Sequence, residues 1–415
     1  MNQRKETALG EIPSDWNVLT VDEIKASPKK AIISGPFGSN ISSKYFVASG
    51  IPVIRGNNLS LQIGKKFIDD GFVYLTDDKA NELGTWAERD DLIFTAAGTI
   101  GQVGILLGNE KYSKYIISNK QLRVRLNKNI VLPTFAYYWF NTPFMRDTIM
   151  QRDTGSTIPL INLSVLKGLP IPVPELPEQT AIATILSSLD DKIDLLYRQN
   201  QTLEALAETL FRQWFVEDTD DWPIKKVSEI IEVRDGTHDS PKQKEEGKFL
   251  ITSKHLKPTG IDFYSAYKIS DEDFEAINKR SKVDKGDILF SMIGTLGLIF
   301  FVSEPPVYAV KNIGLFKSSQ KPWFGRFLFM LLKSPLGKNF IYENASGSTQ
   351  EYITLGSLRN FEFPFHGEDK IKEFDETVGP LFLKVESNNN QIRTLTQLRD
   401  NLLPKLMSGE VRVKM

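Results

Sequence analysis

The chain has 415 residues, no cysteine, and 51 Lys and Arg against 52 Asp and Glu; 41% of it is apolar and 25% charged. These figures predict a soluble globular protein of more than one domain. They exclude a disulfide scaffold, a thiol nucleophile and every cysteine-based metal site, and they fit a reducing, cytoplasmic setting. No uncharged apolar run approaches the roughly 18 residues of a membrane span, and the N-terminal MNQRKETALG lacks the apolar core of a signal peptide. With a net charge of −1, any basic surface must be local.

In chain order, Glu11–Ile24 reads as an exposed lead-in ending in a short helix, and Gly35-Pro-Phe-Gly-Ser-Asn40 as a turn cluster. Ile51–Leu59 begins as a strand and ends in Arg55, Asn57 and Asn58. Asp91–Ala96 is an apolar strand running into GTIGQVG, with Gln102–Leu107 as the next strand. Ile116–Leu126 alternates in part and ends in basic residues. Pro133–Phe144 predicts an aromatic-rich helix and Arg152–Pro159 a polar loop. Pro170, Pro172, Pro174 and Pro177 mark a domain boundary. Leu176–Phe215 then predicts a helix roughly 55–60 Å long, starting at Pro177 and stopping from Asp218. Leu186, Ile193, Asn200, Ala207 and Trp214 recur at heptad spacing, as do Ile182, Leu189, Leu196, Leu203 and Leu210. That seam is narrow and must face another helix.

The second half repeats the first. Trp16 and Val21-Asp-Glu-Ile24 are mirrored by Trp222 and Val227-Ser-Glu-Ile230, and Val53–Leu59 by Leu250–Leu256. Gly98-Thr-Ile-Gly101 is mirrored by Gly294-Thr-Leu-Gly297, and Asn119–Arg125 by Lys311–Lys317. Asn141-Thr-Pro-Phe144 matches Lys333-Ser-Pro-Leu336, and Gly155-Ser-Thr157 matches Gly347-Ser-Thr349. LEALAETLFRQWF from Leu203 aligns with LTQLRDNLLPKLM from Leu395, and Phe374, Val378, Leu381, Val385 and Ile392 extend that second seam upstream. Pro380 predicts a kink or a late start there. Asn200 and Asn388 are polar breaks that fix register. The expected pairing sets Leu189, Ile193, Leu196, Leu203 and Leu210 against Leu381, Val385, Ile392, Leu395 and Leu402.

The predicted organisation is therefore a mixed domain (1–175), a long helix (176–217), a second mixed domain (218–370) and a second long helix (371–415). Short strands between glycine turns, without a βαβ rhythm, make each globular part α+β.

A search for chemistry finds little. Gly98-x-x-Gly101-x-x-Gly104 lies between strands and does not open a helix as a dinucleotide loop does. Ser303-Glu-Pro-Pro-Val-Tyr308 has the wrong spacing for an amino-methyltransferase loop. Asp15 with Glu23-x-Lys25 only loosely fits a nuclease pattern, and His238, His255 and His366 form no metal-ligand pair. No catalytic residue, cofactor or metal site is expected. The positive signal is local charge. Lys111, Lys114, Lys120, Arg123, Arg125 and Lys128 occupy one stretch; Lys311, Lys317, Lys321, Arg326, Lys333 and Lys338 occupy its repeat. Both copies are basic although their sequences differ, which favours a polyanion partner with phosphates on the cations. Candidate contacts in the first half are Lys44, Arg55, Asn57, Asn58, Lys65, Thr99, Lys120, Gln121, Arg123, Arg152 and Ser156. In the second they are Arg234, His238, Lys242, Lys254, His255, Thr295, Lys311, Asn312 and Gln350. The Arg forks, amides and imidazoles among them suit base edges.

Several of these segments together resemble the specificity subunit of type I restriction–modification enzymes along the whole chain. They are Ile12-Pro-Ser-Asp-Trp16; Leu176-Pro-Glu-Gln-Thr-Ala-Ile-Ala-Thr-Ile-Leu186 with Leu189-Asp-Asp-Lys-Ile193; Leu210-Phe-Arg-Gln-Trp-Phe215; the GTIG and GST turns; and Leu398-Arg-Asp-Asn-Leu-Leu-Pro-Lys-Leu-Met-Ser-Gly-Glu410. Phe361–Lys372 departs from the pattern, being poor in the Pro/Glu-Gln signal that precedes the first long helix. The resemblance implies two target-recognition domains, each reading half of an asymmetric split site on double-stranded DNA. It implies long helices that pair antiparallel as a spacer, and docking of two methyltransferase subunits with motor-nuclease subunits joining for cleavage. It implies no catalysis by the chain itself. Two other readings stay open: an enzyme acting alone, and a coiled-coil scaffold that binds only protein.

Overall fold

A computed structural model describes residues 3–217, 221–257, 260–347 and 350–413. The expected helix stop at Asp218 and the Ser348-Thr349 part of the second GST turn lie outside the described residues. The chain folds as two compact units, one comprising residues up to Leu195 with those from Gln391 onward, the other Leu196–Asn390.

The first unit holds two four-stranded sheets. One orders Val73–Leu75, Ile51–Ile54, Lys114–Ile117 and Trp86–Glu88; the other orders Ile32–Ser34, Gln121–Arg125, Asp91–Thr95 and Val103–Ile105. All neighbours are antiparallel except Lys114–Ile117 beside Ile51–Ile54. The second unit repeats this plan. Val233–Asp235, Ile313–Phe316, Ile288–Ser291 and Ile299–Phe301 form one sheet; Tyr267–Ile269, Lys248–Thr252 and Tyr308–Lys311 form the other, again with one parallel pair. Asp91–Thr95 is buried along its whole length, as is Ile288–Ser291. Continuous rather than alternating apolar sequence is what a strand covered on both faces requires.

Two sequence segments resolve into finer pieces. Ile116–Leu126 is two strands with a reversal at Ser118–Lys120, and Gln121 N–H closes that turn on Ser118 O (3.1 Å). Pro133–Phe144 is two helices, Pro133–Phe140 and Pro143–Gln151. The second is started by Thr142, whose side chain accepts from Met145 N. The repeat makes the same stop with Ser334 before Pro335–Asn344. A hydroxyl cap followed by proline at the first helical position is a strong start signal, and it overrides helix continuity. The lead-in is not exposed. Arg4–Thr7 and Gly10–Pro13 form a hairpin, and Ile12 and Trp16 are buried. Trp16 Nε1 donates to Glu178 Oε2 (3.0 Å), and Arg412 bridges that carboxylate to Asp15.

Leu176–Phe211 is a single helix of 36 residues, about 54 Å at 1.5 Å per residue. It continues into a π-helical turn, Arg212–Val216. The second long helix, Glu368–Met407, continues for 40 residues through Pro380, so it does not start late at that residue. Pro380 is exposed, while Phe374 and Val378 on the opposite side are buried in the second unit's core. Burial of that face compensates the amide bond the proline removes.

Within each unit the two helical segments run antiparallel. In the first, Leu186 packs in one core with Leu403 and Leu406, and Arg399 donates to Asp190 (3.0 Å). In the second, Phe211 stacks on Phe374 and Asn388 donates to Asn200 (2.8 Å). Of the expected seam residues, Ile193, Leu196 and Ile392 are buried; Leu189, Leu203, Leu210, Leu381, Val385, Leu395 and Leu402 are half-buried.

Candidate nucleic-acid interface

In each unit the same set of turns is tied together by hydrogen bonds to backbone carbonyls. In the first unit Gly98 N donates to Pro159 O (2.9 Å), joining the GTIG turn to the loop that carries Ser156. Ala96 N donates to Lys120 O (2.7 Å), and Ser118 N to Ile54 O (2.9 Å), so the Ser118–Lys120 reversal adjoins both that turn and the residues after Ile54. Thr99, Lys120, Ser156 and the Arg55–Asn58 turn are thereby gathered, with Thr99, Lys120, Ser156 and Asn57 exposed. Gly98 and Gly101 have φ of +97° and +87°, a conformation that L side chains rarely adopt.

The second unit gathers the equivalent residues. Gly294 N donates to Glu351 O (3.3 Å) and Ser253 Oγ to Asn312 O (2.8 Å). They surround a cleft of about 520 Å³ whose walls include Lys254, Lys257, Thr295, Asn312 and Gln350. Asn312 has φ +53°, a left-handed position that asparagine tolerates better than most residues.

A glycine-started loop lies beside each set. A Cβ on Gly35 would sit 1.8 Å from Ser118 O, and one on Gly236 would sit 2.5 Å from Val310 O. Backbone can approach the reversal this closely only without a side chain. The first loop carries Phe37, 84% exposed, next to Gly38, which faces the Asn119 amide. The second carries His238, whose ring nitrogens meet Asn312 Oδ1 (2.9 Å) and Asp235 Oδ2 (2.8 Å). Asp235 also accepts from Arg280. His238 is exposed, but both its nitrogens are engaged within the unit, and they hold Asn312 at the cleft.

Four expected contacts are corrected because they serve the interior. Asn58 is fully buried; its amide donates to Ile68 O (2.9 Å) and Asp70 O (2.8 Å), and its Oδ1 accepts from Arg55 N (2.9 Å). Gln121 is buried against Ser118. Arg123 is buried, donating to Lys30 O beside the Asp91 carboxylate. His255 is buried with Nδ1 accepting from Thr252 N (2.9 Å), and burial holds its imidazole below the usual histidine range. Buried in this way, the four do not present their polar groups at the surface.

The remaining expected residues stay at the surface. Lys44, Lys65, Lys242 and Lys254 are exposed; Lys44 lies over the Tyr45 ring (4.7 Å). Arg55 and Asn57 both reach Gly71 O. Arg152 donates to Gly168 O (2.9 Å), Arg234 to Glu232 (2.7 Å) and Lys311 to Ser240.

The basic stretches are largely neutralised in space. Arg125 forks onto Asp91 with two 2.8 Å bonds, a pairing that raises the guanidinium above its ordinary value. Lys114 pairs with Glu88 and Lys128 with Asp90. In the repeat, Lys317 is buried between Asp284 and Asp287, Arg326 meets Asp375 and Lys333 meets Glu208. The acids sit on other strands, helices and turns, which is why the local sequence looks acid-free. Lys120 remains exposed on its reversal. Sequence reasoning passed over Phe37. The flanking Gly35 and Gly38 were a usable signal for Phe37.

Among the described residues, no group of three or more His, Cys, Asp or Glu side chains could hold a metal ion, and no helix is long and apolar enough to cross a membrane.

A family model described as "Type I restriction modification DNA specificity domain" matches residues 13–205 and again 219–366. The type I restriction enzyme MjaIX specificity subunit of Methanocaldococcus jannaschii is 27% identical, over 99% of this chain and 96% of that protein. The HindI specificity subunit of Haemophilus influenzae is 22% identical over 73% of this chain and 84% of its own length. Among solved structures, the S subunit of a type I restriction–modification system from M. genitalium matches with a TM-score of 0.60 at 17% identity, over 96% of both chains. That last likeness is one of fold.

Proposed function

The chain belongs to the type I restriction–modification DNA specificity family, and from that premise we propose that it reads a bipartite, asymmetric target on double-stranded DNA. Each unit takes one half-site. The observation that carries this reading is the twofold recurrence of one turn set with different side chains. Phe37, Asn57, Thr99, Lys120 and Ser156 belong to one copy; Lys254, Thr295, Asn312 and Gln350 line the other, with His238 bonded to Asn312. A shared backbone frame with diverged polar tips suits two readers of unlike sequences.

On this reading the chain does no chemistry itself. It supplies specificity in the cytoplasm to a DNA adenine methyltransferase and to the endonuclease complex of a host-defence system. Two methyltransferase subunits dock on it, motor-nuclease subunits join for cleavage, and the paired long helices set the spacing of the half-sites. Support for docking comes from apolar side chains that the helices leave uncovered: Leu195, Tyr197, Leu206, Leu383 and Leu398 are each 45% exposed or more. Isolated large apolar residues on a surface need no explanation, but repeated ones along a helix suit a partner.

Fluorescence anisotropy tests the reading, using the chain with its cognate methyltransferase and a labelled duplex carrying the methylated site. Tight binding that falls steeply with salt is expected, with a log–log slope of about −0.9 per phosphate contacted. Equal affinity for a duplex with either half-site scrambled would contradict it.

A further inference from the structure

A second cleft in the Leu196–Asn390 unit, of about 580 Å³, is walled by Ser228, Glu232, Arg234, Lys279, Arg280 and Arg359 together with apolar backbone neighbours. Four cations therefore face one carboxylate. Glu232 is committed to Arg234, and that hydrogen bond holds its carboxyl below the usual range. Arg280 is matched by Asp235 outside the cleft. Arg359 donates from Nε to Val233 O (3.0 Å). Among the described residues neither Lys279 nor Arg359 meets a carboxylate.

The other unit tells why. There Asp22 occupies the position that Ser228 takes here, and Lys167 the position of Arg359. Asp22 pairs with Lys25 (2.6 Å) and lies 3.9 Å from Lys167. The repeat has exchanged that carboxylate for a hydroxyl, kept the cation as arginine, and added Lys279 and Arg280 in the last turn of the helix Asp271–Ser281. A helix C-terminus accommodates cations at its end, but it does not account for the lost acid. The local balance left over is positive, and the groups available are guanidinium forks, an ammonium and a serine hydroxyl, a donor set matched to tetrahedral oxyanions.

We propose that this cleft is a binding site for a phosphate-class oxyanion, present in the second unit and cancelled in the first by Asp22. The oxyanion comes either from a phosphodiester of the DNA backbone or from a free phosphate compound. It connects to the cleft at Gln350 through one chain of hydrogen bonds, Arg280 to Asp235 to His238 to Asn312. An anion drawn to Arg280 competes with Asp235 for it and so bears on how His238 holds Asn312.

Two variants of the full chain test the site. Ser228→Asp restores the carboxylate of the other unit at an exposed position, and Arg359→Gln removes the cation; circular dichroism checks that both fold. Inorganic pyrophosphate titrated calorimetrically in low-salt buffer probes the free source. The salt dependence of duplex binding with the methyltransferase probes the backbone source. If the source is free, pyrophosphate binds the wild type and each substitution weakens it at least about tenfold. If it is the DNA backbone, each substitution lowers the salt slope by about one ion with half-site preference unchanged. Pyrophosphate binding without any duplex binding supports the site and counts against the DNA reading. Wild-type behaviour of both variants in both assays, or no pyrophosphate binding and no change of slope, overturns the site.

Discussion

At the scale of single residues, buried polar groups carry the most testable consequences. In the first unit Asp190 is buried and held by Arg399 Nη1 (3.0 Å) and Tyr138 Oη (2.5 Å), and Arg399 also caps Ile63 O (2.7 Å). Burial and the Asp190 charge push the Tyr138 phenol far up, so it stays a donor. Removing the cation strands a buried carboxylate. Arg399→Met should cost about 3–5 kcal/mol, read as a lower urea midpoint, and adding Asp190→Leu should recover most of it. An unchanged midpoint in the single variant would show the pair to be idle. His255 makes a second case. Its folded value lies below the ordinary 6.5 because the ring is buried. The unfolded chain therefore takes up a proton near pH 6.5 and the folded chain only lower. The stability tied to this neutral ring is complete above that pH and declines as pH falls below it. NMR of the imidazole should give a His255 midpoint below 6.5; a midpoint at or above 6.5 contradicts the packing.

At the scale of elements, the helix starts carry testable weight. Thr142 accepts from Met145 N (3.2 Å), and Ser334 accepts from Gly337 N (3.5 Å), each ahead of a proline. Thr142→Ala should cost about 1 kcal/mol in urea unfolding; Ser334→Ala, with the longer bond, should cost no more. The polar layer of the long helices behaves differently. Asn388 Nδ2 donates to Asn200 Oδ1 and Gln199 Oε1, while Asn200 donates to Asn389. Replacing Asn200 and Asn388 together by leucine removes both buried partners at once and should raise the urea midpoint. A lower midpoint would make this layer a source of stability and not of register alone. The elements were legible in the sequence where period and repetition agreed. The heptad seam and the GTIG turn were found because a second copy disciplined each reading. The break at Asn141 and the reversal at Ser118–Lys120 were missed because apolar runs of that length suit one long element as well as two short ones. The late start read from Pro380 does not occur, because a lone proline argues for a helix end unless the burial of Phe374 and Val378 is known.

At the scale of the whole molecule, the family, the mixed fold and the duplication were readable from the sequence; the site was readable only in outline. Loop tips such as Thr99, Ser156 and Gln350 could be named because repeated turns flagged them. Asn58, Gln121, Arg123 and His255 look identical in sequence to groove-reading residues, and only their burial assigns them to the interior. The acid-free basic stretches likewise lost much of their charge to acids distant in sequence. The central claim is that each unit independently reads one half of a split target. Methylome sequencing of a host carrying this chain with its methyltransferase tests it most directly, comparing wild type with the double variant Lys254→Ala and Gln350→Ala. A split, asymmetric motif is expected in the wild type, with only one half relaxed in the variant. An unsplit motif, or equal loss of both halves, would contradict it.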